Sequence, residues 1–178
     1  FAKGRVDVSF VSGAQIDQYG NLNVTWINRP GGGRIRLIGC LALPEHQACA
    51  ERSVILADLD RQVFVPKVDY ISGVGWLEGG DSRARAGIDV GGGPQLVVTD
   101  RAIFDFAPNT RRMRIRSLHP GVTVDDVVSA MGFAPEIPDV IPTTEPPSAE
   151  QLRLIRETID PRRMLIGHEP KSISRSAA

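Results

Sequence analysis

Glu45 and His46 stand side by side in the segment Ile38–Ala50 (IGCLALPEHQACA). An acid and an imidazole are the side-chain types that carry general acid–base catalysis. Pro44 is tolerated in a first helical turn, so the segment predicts a short helix through Glu51. Neighbours on a helix do not face each other, so the two are not expected to form a dyad. The pair fits an exposed, acidic helix start, and His46 is the more interesting of the three histidines. A second group lies in GAQIDQYGNLNVTWI, Gly13–Ile27, where Gln15, Asp17, Gly20, Asn21 and Asn23 crowd one bend between two apolar runs. A plain hairpin needs only one or two turn residues. Gly20 and Asn21 suit a turn with positive φ. Asp17 suits an Asx arrangement on the turn's own N–H groups. That leaves the amides of Gln15 and Asn23 for a ligand or partner, or for closing the bend on itself.

The elements that hold these residues read as many short strands with few helices. Val6–Val11, Leu22–Ile27, Arg34–Ile38, Ser53–Leu59, Gln62–Val65, Val68–Ser72, Gln95–Thr99, Ala102–Phe106 and Met113–Leu118 are apolar or alternating runs, the strand signal. Gly73–Gly93 is rich in glycine and charge and reads as a long loop, with Glu78, Asp81, Arg83 and Arg85 as a solvated lid. Thr123 caps a helix with Asp125 and Asp126 in its first turn and Gly132 as its C-cap. Residues 134–147 form a proline-rich extended arm. Ser148 and Gln151 make a capping box for a C-terminal helix over 148–160. A loose tail over 167–178 carries His168. The pattern is α/β with a mixed sheet in one domain, 1–178.

Bulk properties narrow the function. The 178 residues carry equal numbers of acidic and basic side chains, so the formal net charge is zero. Nothing favours nucleic acid or an anionic membrane surface. The local basic run Arg111, Arg112, Arg114 and Arg116 reads as a solvated strand face. No apolar run spans a bilayer and no secretory signal opens the chain. Cys40 and Cys49 have no metal-ligand pattern around them and read as free thiols in a cytoplasmic protein. No metal site is expected. The glycine triplets 31–33 and 91–93 lack the spacing of a nucleotide site and read as loops. The opening FAKGRVDVSFV lacks Met and enters a strand almost at once, as though an earlier part were missing.

Five segments in order resemble the β subunits of family I coenzyme A transferases: GAQIDQYGNLN (13–23), VDYISGVGW (68–76), VVTDRAIFDF (97–106), RSLHPGVTVDDV (116–127) and PSAEQLRLIRETIDP (147–161). The likeness extends to glutaconate-type β subunits and to the β subunit of steroid-ring-opening CoA hydrolases. It implies a three-layer α/β fold around a largely parallel open sheet, here without its N-terminal segment. It also implies a homologous α subunit, in a heterodimer or α2β2 assembly, with coenzyme A thioester as substrate and no resident cofactor. Gln15, Asp17, Gly20, Asn21, Asn23 and Gly39 become candidate substrate or CoA contacts.

Two departures follow from the same resemblance. Transferases of this kind attack the thioester with a glutamate upstream of the 13–23 segment. Only twelve residues precede Gly13 here, and none is Glu. The family also carries a glycine-rich loop after the strand 34–38, whose N–H groups hold the thioester oxyanion. Only Gly39 survives in Ile38–Ala50, with Leu41 and Leu43 in place of small residues. Glu45 and His46 are the remaining candidates for chemistry. The expected function is that of a β-type subunit in an acyl-CoA transferase. The alternatives are a carbon–carbon hydrolase on the same scaffold and a scaffold subunit that completes a partner's site.

Overall fold

Burial that alternates along the chain marks the strands that build the sheet. The computed structural model describes Phe1 and residues 3–165. Its strands are β1 (Val8–Val11), β2 (Gln15–Ile16), β3 (Leu22–Asn23), β4 (Trp26–Asn28), β5 (Arg34–Arg36), β6 (Arg52–Leu56), β7 (Pro94–Val98), β8 (Ala102–Phe106) and β9 (Met113–Leu118). Its helices are α1 (Leu43–Cys49), α2 (Ser82–Arg85), α3 (Val124–Ser129) and α4 (Ala149–Arg153). The chain divides into two units, Phe1–Thr144 and Glu145–Ala178.

In the first unit five strands form one sheet in the order β1-β6-β7-β8-β9. The β1–β6 and β6–β7 pairs are parallel, and the β7–β8 and β8–β9 pairs are antiparallel. The α/β class and mixed sheet are as read from the chain. The parallel character implied by the resemblance is confined to the N-terminal half of the sheet. One face points inward: Ile55, Val97, Phe104, Met113 and Ile115 are fully buried there with Phe64. Each large apolar side chain removed from water in this way contributes about 2 kcal/mol.

Several expected strands are shorter than their apolar runs. Leu22–Ile27 breaks into β3 and β4 because the Ser72 hydroxyl takes the Val24 N–H and the Asn23 side chain takes the Thr25 N–H. Gln62–Val65 and Val68–Ser72 form no strand. Their backbone groups go singly to the short β2–β3 hairpin, as in Ile16 N–H to Val63 C=O, Val65 N–H to Ile16 C=O and Ser72 N–H to Leu22 C=O. The charged loop 73–93 contains α2, and Arg83 on it is 4% exposed. It is therefore no solvated lid at that residue.

Thr123 caps α3 with a complete capping box to Asp126. Gly132 is not the C-cap, a position held by Ala130. Its lack of a side chain lets it pack on the Phe64 carbonyl, to which its N–H donates at 2.7 Å. The basic run is also less free than a solvated face. Arg114 makes a two-point ion pair with Asp105 across β8–β9, both bonds 2.8 Å, which raises its pKa. Arg112 donates to the Ala134 carbonyl. Residues 134–144 run beside β9, exchanging backbone bonds with Met113, Ile115 and Leu118.

In the second unit Ser148 and Gln151 form the capping box of α4. The helix continues as a π-helical turn over Leu154–Ile159, after which the Asp160 carboxylate accepts the Met164 and Leu165 N–H groups at 2.8 Å. The tail over 167–178, with His168, lies outside the described residues.

The bend is joined to the sheet through Gly20. Its φ is +69°, and a Cβ there would lie 2.7 Å from Phe106 Cζ. Gly20→Ala is expected to lower unfolding free energy by about 2–4 kcal/mol, from left-handed backbone strain and overpacking together. Urea titration of the purified chain measures it.

Candidate functional site

The amides of the bend are used inside the chain. Asp17 accepts from the backbone N–H of Tyr19 at 3.0 Å and of Asn21 at 3.1 Å, the expected Asx geometry. The Asn21 amide also donates to both Asp17 oxygens and to the Leu77 carbonyl, and its oxygen accepts from Gly75 and Leu77 N–H. Asn23 donates to Gln15 Oε1 and to the Trp26 carbonyl, both at 2.7 Å. Gln15 Nε2 donates to Asp69 Oδ2, and Gln15 Oε1 accepts the Asp69 N–H, both at 3.0 Å. Gln15, Asp17, Asn21 and Asn23 are all buried. They bolt the bend to the segment 68–77, and the amides of Gln15 and Asn23 are not presented to solvent. Asn21, expected to share positive φ with Gly20, does not.

Burial pushes the Asp17 carboxyl above its ordinary range, although the hydrogen bonds from Asn21, Tyr19 and Val68 pull the other way. Asp69 behaves oppositely. Its burial also opposes charge, but donors from the Asn28 backbone, Gln15 and the Asn28 side chain outweigh it and lower its pKa. Asp69 leaves no signal in the sequence because its partners lie up to 54 positions away.

The helix α1 carries Glu45 and His46, and they diverge. Glu45 is exposed in the first turn, while His46 is half-buried. Three sets of bonds fix the helix. Ser9 Oγ on β1 donates to the His46 carbonyl at 3.1 Å, Gln47 Nε2 donates to the Gly20 carbonyl at 3.1 Å, and Arg83 donates to the Gln47 and Ala48 carbonyls at 3.0 Å. Arg83 also reaches the carbonyls of Val74, Gly75 and Val90. Burial lowers its pKa, opposed by its interaction with Cys49.

A cavity of about 330 Å³ opens between the C-terminal end of β1 and the loop into α1. Phe10, Val24, Ile38, Leu41 and Leu43 give it apolar walls. Gly39, with φ +94°, lies in its rim, and Leu41 is held at φ +43°. His46 lines it too, and its Nδ1 is buried without a hydrogen-bond partner among the described residues. Phe10 lines this cavity without standing out in the sequence. The available signal is VDVSFV, which ends with Phe10 and Val11 on opposite faces of one strand.

A larger cavity of about 640 Å³ adjoins the bend and is edged by Tyr19, Lys67, Glu78 and Arg85. Gly31, Gly32 and Gly33 have positive φ and nothing packed against them, as befits the loop of the β4–β5 hairpin. Gly91 instead packs on the backbone of Ala48–Ala50, and Gly93 on Trp76. Among the described residues no group of three or more His, Cys, Asp or Glu side chains could hold a metal ion, and no helix is long and apolar enough to cross a membrane.

Residues 1–130 match the family described as coenzyme A transferase. The chain belongs to the coenzyme A transferase family. It is 34% identical over 153 residues to the B subunit of 3-oxoadipate CoA-transferase from Pseudomonas knackmussii, covering 86% of this chain and 58% of that protein. Against the B subunit of glutaconate CoA-transferase from Acidaminococcus fermentans it is 34% identical over 154 residues, 86% of this chain and 57% of the relative. The solved glutaconate coenzyme A-transferase of that organism superposes with a TM-score of 0.80 over 91% of this chain and 62% of that one. The cholesterol ring-cleaving hydrolase IpdB subunit of Mycobacterium tuberculosis is 33% identical over 149 residues, covering 83% of this chain and 58% of the hydrolase subunit. The chain thus spans a little under three-fifths of the length of these curated relatives. Within this transferase-family chain, the buried side chains of the bend hydrogen-bond to one another and to the segment 68–77, and the loop into α1 shapes the apolar cavity.

The Asp69 shift has a definite sign. A lowered carboxyl pKa contributes stability above the ordinary value of 3.8 and loses it as pH falls through the folded value. The protein is expected to lose unfolding free energy on acidification below about pH 4, and Asp69→Asn to flatten part of that slope. Urea midpoints measured between about pH 7 and 3 check this; an unchanged slope in the variant would contradict it.

Proposed function

We propose that this chain is a β-type subunit of a heteromeric acyl-CoA transferase acting on CoA thioesters of carboxylic acids. It works with a homologous α subunit, in a heterodimer or α2β2 assembly. The observation that carries the reading is the likeness to transferase B subunits over 86% of the chain, with a TM-score of 0.80 to a solved transferase. The free thiols Cys40 and Cys49 suit a reducing compartment, and we assign the protein to the cytoplasm.

In this reading the chain supplies a rigid wall of the thioester site. The clamp of Gln15, Asp17, Asn21 and Asn23 sets the bend. Gly20 gives its turn, and Gly39 gives the loop its direction beside the cavity. Among the described residues no carboxylate lines the cavity at the end of β1. The attacking glutamate of the proposed transfer therefore comes from polypeptide other than the cavity lining. Glu45 is exposed on the helix start and is not among the residues that line the cavity.

A second reading is a hydrolase that opens a ring in an acyl-CoA. One observation favours it: the 33% identity to a ring-cleaving hydrolase subunit.

The test is a CoA-exchange assay on the complex purified with its co-purifying partner. CoA is expected to move from an acyl-CoA to labelled acetate, through an intermediate trapped by borohydride. Consumption of a cyclic keto-acyl-CoA with uptake of one water and no exchange into acetate would replace the transferase reading with the hydrolase.

A further inference from the structure

We infer that the cavity at the C-terminal end of β1 receives the acyl group of the thioester and selects an uncharged, apolar acyl chain over one that ends in a second carboxylate. This rests on the proposed action on CoA thioesters and names the substrate class of that site.

The position is one where α/β proteins bind ligands. β1 pairs in parallel with β6, and the crevice lies just past the carboxyl end of β1, where Phe10, Val11 and Ser12 enter it. The volume of about 330 Å³ falls at the small end of ligand pockets. Three large apolar side chains on its rim stay uncovered: Phe10 is 65% exposed, Ile38 83% and Leu41 82%. Leaving such side chains in water forgoes burial energy, and clustered exposure marks a binding surface. Leu41 is further held in left-handed backbone, a conformation leucine adopts only against a steric cost.

Among the described residues the lining has no Lys, Arg, Asp or Glu. A terminal carboxylate entering it would lose water without gaining a fixed cationic partner, which is strongly unfavourable. The cavity beside the bend differs, being edged by Lys67 and Arg85. His46 also lines the cavity; its backbone is anchored by Ser9 and its ring lies 4.2 Å from that of Phe1. Its Nδ1 is buried away from the cavity space and offers the ligand no bond. Apolar walls without a carboxylate, ammonium or guanidinium are what an uncharged acyl chain requires.

The experiment compares hexanoyl-CoA with adipyl-CoA, equal in chain length and different by a terminal carboxylate. Both are assayed for kcat/KM and for binding to the intact complex, with native chain and with Ile38→Arg. Ile38 is exposed, so the substitution leaves the core untouched, and circular dichroism verifies folding. The native complex is expected to favour hexanoyl-CoA by about tenfold or more. Ile38→Arg, which brings a fork-shaped cation to the rim, is expected to erode that ratio by about tenfold. Equal or inverted preference in the native complex, or an unaltered ratio in the variant, would overturn the inference while leaving the thioester reading in place. If neither thioester is bound or consumed, both the inference and the reading of the chain as part of a CoA-thioester enzyme fail together.

Discussion

The fold around the site depends on one buried guanidinium. Arg83 is taken out of water and forms no salt bridge among the described residues, and its charge is met by the carbonyls of Val74, Gly75, Gln47, Ala48 and Val90. Burying an unpaired charge is costly, and the cost is offset only when its donors are met at good geometry. The carbonyls come from three separate segments. Two belong to the last turn of α1, where carbonyls have no helical partner and favour a cation. Arg83 therefore satisfies its own donors and the helix end together, and pins α1 to the loop on both sides of α2.

From that anchor the constraint passes to the bend. Gly75 and Leu77 lie in the loop Arg83 holds, and their N–H groups are met by the Asn21 side chain. Asn21 is in turn fixed by Asp17. Gln47, one turn along α1 from Leu43, closes the circuit on the Gly20 carbonyl. The bend, the loop 73–77 and α1 are thus tied into a polar network whose members are individually satisfied at most of their atoms. Such networks are rigid, because releasing one member strands the others. The apolar cavity is built on this frame: its wall residue His46 rides on α1.

Much of this was legible in the residues. The strands of the sheet follow from apolar and β-branched runs. The cap at Thr123 and the capping box at Ser148 are local patterns of three-residue span. The Asx turn at Asp17 and the positive φ of Gly20 follow from short-range chemistry at the bend. The family was legible because its segments recur in order. What escaped has a common cause. Arg83 sits in a glycine- and charge-rich stretch that reads as solvated, and its partners are backbone carbonyls, which leave no trace in composition. Asp69 and Gln15 meet only through the fold. Gly132 looked like a helix stop, whereas the Phe64 carbonyl, distant in the chain, sets its role. The cavity joins β1 to a loop far along the chain, and the single hint was an apolar residue on each face of β1.

The measurement that tests this account most directly is amide hydrogen exchange on Arg83→Met within the assembled protein. If the guanidinium is the common anchor, protection falls together in 43–49, 74–77 and 17–23, while β8 and β9 keep theirs. Loss of protection confined to 82–90, with α1 and the bend unchanged, would contradict the claim that one buried charge holds the site together.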